Sequence, residues 1–133
     1  MSILLAALIS AVAGILIDWV VNVRIFHRFR RRTPTTYRNL PRHMLVWGAI
    51  VLAAFTYAGF FAITGGIGWL NVRQWVQIGV LFGIACWAAV PLPLLLSLSV
   101  FINLHRGVVI GLLLEWLLLS VAFGVICSAV TVR

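Results

Sequence analysis

Residues 2–24 read SILLAALISAVAGILIDWVVNVR, and after Ser2 this run is apolar as far as Arg24 apart from Ser10, Asp18 and Asn22. A helix rises 1.5 Å per residue, so a run of this length can cross a hydrocarbon core of about 30 Å. We therefore interpret residues 2–24 as a membrane-spanning helix.

The rest of the chain has the same character. Of its 133 residues, 64% are hydrophobic and 9% are charged, and the mean hydropathy is +1.17. Soluble domains average about 45–50% apolar and about 25% charged residues, so this composition excludes a soluble domain. We predict an all-α fold, an integral membrane four-helix bundle that forms one transmembrane domain over residues 1–133. The predicted spans are about 2–24, 43–64, 72–101 and 108–130.

The third predicted span contains two prolines, Pro91 and Pro93. Each lacks a backbone N–H and clashes with the preceding turn of a helix. We therefore expect the helix of this third span to be kinked or broken at Pro91/Pro93.

The positive charge is concentrated between the first two spans. The formal net charge of +8 would suggest nucleic acid in a soluble protein, but here most arginines lie in one loop, residues 24–42. They are Arg24, Arg28, Arg30, Arg31, Arg32, Arg38 and Arg42. Because Lys and Arg concentrate in cytoplasmic loops, this predicts a cytoplasmic loop, periplasmic termini and no nucleic-acid partner. A further possibility is that these arginines bind anionic lipid headgroups or an acidic partner.

The two side-chain carboxylates, Asp18 and Glu115, both lie inside predicted spans. An ionisable residue within a membrane is a candidate functional site by default. Asp18 is six residues from Arg24 and Glu115 is nine from Arg106. These separations place them ~9 Å and ~14 Å from the same membrane boundary, so the two could meet.

Small and polar residues recur every four positions beside both acids, a spacing typical of helix contacts in membranes. In the first span the row is Ala6, Ser10, Gly14, Asp18 and Asn22, and in the last it is Gly107, Gly111 and Glu115. Three interpretations of the acids stay open: hydrogen-bonded contacts between helices, a site for a proton or cation, and an ion pair with an inward-reaching arginine. The candidate ion or proton site comprises Asp18, Glu115, Asn22 and Ser10.

The functional hypotheses follow from the small-residue faces and the short connections. We assign Gly14, Gly79, Gly83, Gly107 and Gly111 to helix packing. With little surface outside the membrane, we expect a non-enzymatic accessory or self-assembling subunit, a homo-oligomer or part of a larger membrane complex. The alternative is a small oligomeric proton- or cation-coupled transporter or channel that uses Asp18 and Glu115.

No catalytic, nucleotide or zinc motif is found in the sequence. His27, His43 and His105 do not have the spacing of a compact metal site, so we expect no catalytic residue, no metal and no cofactor. A weaker hypothesis starts from His105, ten residues before Glu115 and Trp116. This pattern loosely resembles the membrane anchors of succinate dehydrogenase and would suggest a haem or quinone anchor subunit.

The pattern Gly79-x-x-x-Gly83-x-x-x-Trp87 with Pro91 and Pro93 precedes an Asn-containing turn and a last helix rich in Gly and aromatic residues. This half of the chain resembles a family of small bacterial four-helix membrane proteins, domain of unknown function 1761. The resemblance implies residence in the bacterial inner membrane and adds no catalytic residue. The arginine-rich loop and the two acids depart from the family's pattern.

Overall fold

The structure, a computed structural model, describes residues 2–21, 24, 42–65, 74–101 and 106–131, and every element in these ranges is helical. The helices are α1 (Ser2–Val20), α2 (Arg42–Thr64), α3 (Trp75–Ala89), α4 (Pro91–Phe101) and α5 (Arg106–Thr131). Four helical stretches are long and apolar enough to cross a membrane: α1, α2, α3 with α4, and α5. The predicted all-helical fold with four candidate spans is confirmed, and these spans suggest a multi-pass membrane protein.

The third span is interrupted at Val90, directly before the first proline. The last backbone bond of α3 runs from the Val90 N–H to the Cys86 carbonyl, and the Leu94 N–H donates to the Val90 carbonyl. Pro91 is the first residue of α4, the helical position at which a missing N–H is tolerated. The interruption lies where the prolines predict it, and a bend of the helix axis stays a prediction.

Helix α5 lies at the centre of the described bundle, because it packs against each of the other four helices. Its most extensive contact is with α3, and α1 packs against both α2 and α5. The position of every other described helix is therefore set partly by the surface of α5.

The contact between α3 and α5 brings two backbones together. A Cβ built on Gly79 would lie 2.6 Å from the Val125 Cα, and one built on Gly83 would lie 2.5 Å from the Ser120 carbonyl oxygen. Real Cβ atoms do not approach so closely, so only glycine fits at these positions of α3. Gly124 of α5 meets the backbone of Gly79 in the same way.

Hydrogen bonds extend this contact at both ends. The Ser128 hydroxyl donates to the Trp75 carbonyl at 2.7 Å, and the Trp87 indole N–H donates to the Leu113 carbonyl at 3.1 Å. Trp75, Gly79, Gly83 and Trp87 are spaced four apart on α3. We call this row and the facing residues of α5 the glycine seam.

Aromatic residues join α2 to the same core. The Tyr57 ring makes edge contacts with Phe82 of α3 and Phe123 of α5, with ring centroids 6.3 and 5.6 Å apart. Its hydroxyl shares a 2.7 Å hydrogen bond with the Ser120 hydroxyl. Tyr57 thus connects three helices at the middle of the bundle.

Candidate functional site

Asp18 lies on α1 at the end of a buried row of small or polar residues. Ala6, Ser10 and Gly14 precede it at intervals of four, and only 5% of the Asp18 surface is exposed. Residues four apart share one face of a helix, and small residues allow a neighbouring helix to approach closely. The Asp18 side chain therefore faces protein, as its spacing predicts.

Glu115 lies in a comparable row on α5. Gly111, Glu115 and Leu119 are spaced four apart and all three are buried, Glu115 with 6% of its surface exposed. Leu119 belongs to a hydrophobic cluster with Ala11 of α1 and Ile50 of α2. Since Glu115 shares the face of Leu119, it also faces α1 and α2.

Two contacts fix the register between α1 and α5. A Cβ on Gly14 would lie 2.9 Å from the Phe123 ring, and Ser10 lies beside the Cys127 thiol. A step of four residues forward along α1 therefore matches a step of four backward along α5. The two helices are antiparallel, with Gly14 level with Phe123 and Ser10 level with Cys127.

Extended by one turn, this register places Asp18 level with Leu119. Glu115 is four residues further along α5, which is about 6 Å along the helix axis. The two buried carboxylates are thus offset by about one helical turn along the axes of α1 and α5, towards the end of the bundle that carries Arg106.

Helix α2 closes the third side of this region. The Gly14 Cβ position is also 2.6 Å from the Ile50 side chain, and Trp47 precedes Ile50 by one turn of α2. Asp18, Glu115 and Trp47 each have an interaction partner. The candidate site is therefore a set of partnered side chains at the junction of α1, α2 and α5.

The other proposed site residues divide into two groups. The Ser10 side chain is fully buried, and its hydroxyl oxygen makes no hydrogen bond of standard geometry to any described residue. Ser10 is two turns from Asp18 on the same row, about 12 Å along the axis, so the two do not form one compact site. Asn22 lies outside the described residues.

The predicted packing glycines occupy contacts inside the chain. Gly14, Gly79 and Gly83 meet neighbouring helices at the distances given above, and Gly111 is buried, whereas Gly107 is half-buried and has a partner. The faces of Gly14, Gly79 and Gly83 are thus filled by helices of this chain. They are not available as surfaces for a second molecule.

The structure describes few of the predicted loop arginines. Arg24 is exposed, Arg42 is the first residue of α2, and the others, Arg28, Arg30, Arg31, Arg32 and Arg38, lie outside the described residues. His27 and His105 also lie outside them, so the haem or quinone-anchor hypothesis stays untested. In the described part of the chain, no three His, Cys, Asp or Glu side chains come together to hold a metal ion.

The polar pair at the centre of the bundle, Tyr57 and Ser120, is not among the site residues predicted from the sequence. Tyr57 lies in a long apolar run of α2, and its hydroxyl and that of Ser120 satisfy each other. A buried tyrosine needs a hydrogen-bond partner, so the presence of Tyr57 in an apolar run could have predicted a polar contact between helices. The identity of its partner depends on how the helices pack.

The arrangement of the carboxylates limits the chemistry they can perform. Buried acids on helices that pack together are the residue type that a proton or cation site within a membrane uses. The same acids can also hold helices together through their existing partners.

No family model, curated protein or solved structure matches the chain. The resemblance to domain of unknown function 1761 therefore stays a prediction from the residues quoted for it.

Proposed function

We propose that the protein is an integral membrane protein of the bacterial inner membrane, with its arginine-rich loop in the cytoplasm and both termini in the periplasm. Exposed apolar side chains support the membrane location: Leu4, Leu52 and Ile63 are 62%, 70% and 86% exposed. Large contiguous apolar surfaces are rare on soluble proteins and mark contact with a membrane or partner. The arginine asymmetry supports the orientation.

Extraction and labelling test this location. The protein should stay in the membrane pellet after alkaline carbonate treatment, and a cysteine introduced by Arg31→Cys should react with a membrane-impermeant maleimide only in inverted vesicles. A cysteine introduced at Arg133 is the matched control and should react from the opposite side. Release by carbonate would contradict membrane insertion, and labelling of Arg31→Cys from the periplasmic side would contradict the orientation.

Within the membrane, the proposed function is that of a non-enzymatic accessory or self-assembling subunit that binds its partner through α4. The observation that supports this most directly is the inner row of α4. Leu92, Leu95 and Ser99 face the bundle yet remain only half-buried, and Leu94, Leu98 and Val100 on its other sides are exposed. A further helix packed along α4 would complete the burial of this row.

Disulfide trapping tests the assembly surface. In a background that lacks Cys86 and Cys127, a cysteine introduced by Leu98→Cys should form intermolecular disulfides in native membranes. Leu52→Cys on α2 is the control, because Leu52 is exposed on another helix. If both variants cross-link equally, or neither does and single-molecule photobleaching in bilayers counts monomers, the proposal is wrong.

The second candidate function is proton- or cation-coupled transport by an oligomer. It is favoured by the burial of Asp18 and Glu115 one turn apart on helices that pack together. The interruption at Val90 supplies a place where the third span could move, as broken helices do in transporters. A bend there belongs to this proposal.

Neutralisation of both acids separates the two functions. If they bind the transported ion, Asp18→Asn with Glu115→Gln abolishes ion-dependent flux into proteoliposomes and leaves the assembled protein intact. Arg106→Gln, which removes a charge from the exposed start of α5, is the control. If wild-type protein shows no flux above empty liposomes, transport is excluded and the acids serve as contacts between helices.

A further inference from the structure

An apolar groove runs along the outside of the bundle between α1 and α5. Its lining consists of Leu16, Ile17 and Val20 from α1, Val21 directly after α1, and Leu118 from α5. Val21 is 4% exposed and forms the floor, whereas Leu16 and Leu118 are 59% and 52% exposed and form the two walls. The groove is open to the surroundings along its length.

The lining determines what can occupy this groove. All five lining residues are aliphatic, and the buried Asp18 beside them is not part of the surface. An ion or polar ligand would lose its hydration here without gaining a hydrogen bond. A hydrocarbon chain has no hydrogen bonds with water to lose, and it gains dispersion contacts with both walls.

A charged residue lies at one end of the groove. Leu16, Val20 and Arg24 are spaced four apart in the chain, and all three are exposed. Val20 is the last residue of α1 and lies about 6 Å beyond Leu16 along the helix axis. The wall of the groove on α1 therefore ends four residues before an exposed arginine.

Guanidinium groups bind phosphate oxygens through paired, charge-assisted hydrogen bonds. The α1 wall from Leu16 to Val20 covers about 6 Å, less than half of the ~15 Å hydrocarbon thickness of one leaflet, and Arg24 follows this wall in the chain. Anionic lipid is favoured over zwitterionic lipid because the chain carries a net charge of +8.

We infer that this groove is a specific binding site for one anionic phospholipid, with an acyl chain between α1 and α5 and the headgroup phosphate on Arg24. The inference rests on the proposed membrane location and is independent of the proposed assembly through α4 and of the two carboxylates. If the lipid site fails its test, those proposals are unaffected. Failure of the proposed membrane location is seen separately, as release of the protein by alkaline carbonate.

Native mass spectrometry of the full chain in mild detergent tests the site. Phosphatidylglycerol and phosphatidylcholine with identical acyl chains are titrated against the protein. The wild type should bind one phosphatidylglycerol with about tenfold preference, because both lipids carry the phosphate but the choline cation of phosphatidylcholine repels Arg24 and cancels the net charge of its headgroup. Arg24→Gln should remove this preference, and Val20→Trp, which fills the groove, should weaken binding of both lipids.

Two matched variants separate the site from a general surface effect. Arg106→Gln removes an exposed arginine from the start of α5, and Val12→Trp adds the same ring to an exposed position of α1 outside the groove. Both should bind lipid like the wild type. Equal loss in Arg24→Gln and Arg106→Gln, no loss in Arg24→Gln, or equal affinity of the wild type for the two lipids would overturn the inference.

A photo-crosslinking experiment on the wild type covers the case in which a variant fails to fold. Phosphatidylglycerol that carries a diazirine in its acyl chain is bound and irradiated, and the labelled peptides are sequenced. Labels concentrated at residues 16–21 support the site. Labels spread evenly over the exposed residues of α2 and α4 overturn it.

Discussion

The two halves of the third span, α3 and α4, have similar compositions but different surroundings. Helix α3 presses Gly79 and Gly83 against the backbone of α5 and buries Phe82 among aromatic rings. Helix α4 follows after one residue, and of its described side chains Pro91 alone is buried. The boundary between a tightly held half and a loosely held half is Val90.

Glycine content accounts for the different packing of α3 and α4 in so apolar a chain. Lipid tails are as apolar as leucine, so hydrophobicity does not favour one helix face over another in a membrane. Glycines let backbones approach, and α3 has two of them at a spacing of four, whereas α4 reads PLPLLLSLSVF and has none. Within the described bundle, glycines therefore mark the face on which α3 packs closely against α5.

The largest effect should come from a side chain inserted into the glycine seam. Gly83→Leu places four carbon atoms where even a Cβ would lie 2.5 Å from the Ser120 carbonyl oxygen. We expect a loss of stability above about 3 kcal/mol, because backbone atoms on both sides must move. Reversible unfolding in mixed micelles, followed by tryptophan fluorescence, measures it.

Gly59→Leu on α2 is the control for this substitution, since a Cβ at Gly59 meets no other atom within 4 Å. It should change stability by less than about 1 kcal/mol, the range of helix propensities. Equal destabilisation by both variants would show that the glycine seam does not hold α3.

A smaller effect is expected from an aromatic core residue of α3. Phe82→Ala removes a ring whose centroid is 4.9 Å from that of Phe61 and leaves a cavity. Such changes cost 3–5 kcal/mol in soluble proteins, but only the packing part of this cost survives in a membrane, so we expect about 2 kcal/mol. The same unfolding assay measures it.

Leu96→Ala is the comparison on α4, where Leu96 is 48% exposed. Truncation of an exposed leucine leaves no internal cavity, so it should change the stability of the monomer by less than about 0.5 kcal/mol. If Leu96→Ala destabilised the monomer as much as Phe82→Ala, α4 would be packed as closely as α3.

The last hydrogen bond of the seam should contribute less than the rings. Trp87→Phe removes the indole N–H that donates to the Leu113 carbonyl, and hydrogen bonds between membrane helices average about 0.6 kcal/mol. Ser97→Ala is the control on α4, because the Ser97 hydroxyl donates to Pro93 of its own helix. Removal of the Ser97 hydroxyl should leave the contact with α5 unchanged. A larger loss of stability in Ser97→Ala than in Trp87→Phe would contradict this prediction.

The sequence predicts those features of this fold that depend on neighbouring residues in the chain. Apolar runs define the candidate spans, the prolines define the interruption before Pro91, and the spacing of four residues around Asp18 predicts its burial. Each of these properties is encoded within one helix, through length, missing donors or face periodicity.

The features that the sequence could not predict depend on which faces meet. Gly79 and Gly83 were expected to pack against another helix. That this helix is α5 of the same chain, at Ser120 and Gly124, follows from the antiparallel approach of α3 and α5. The link between Tyr57 and Ser120 has the same origin. Contacts between distant segments leave no local pattern in a single sequence.

The smallest effect on stability, and the most direct test of the boundary at Val90, is expected from Pro93→Ala. Pro93 is exposed, so its loss opens no cavity, and the alanine N–H can donate to the Ala89 carbonyl, which a proline at position 93 leaves without its helical donor. A better-formed helix and a less restricted unfolded chain act in opposite directions, so stability should change by less than about 0.5 kcal/mol.

The geometry should change more than the stability. Proline kinks exceed about 20°, and α4 is about 16 Å long, so straightening would move its far end by about 5 Å. Spin labels at Val100 and Leu16, both exposed, report this distance by electron–electron resonance. An unchanged distance distribution in Pro93→Ala and in the double variant with Pro91→Ala would mean that the contact with α5 holds the two halves in place, and that the prolines only mark the point where α3 ends.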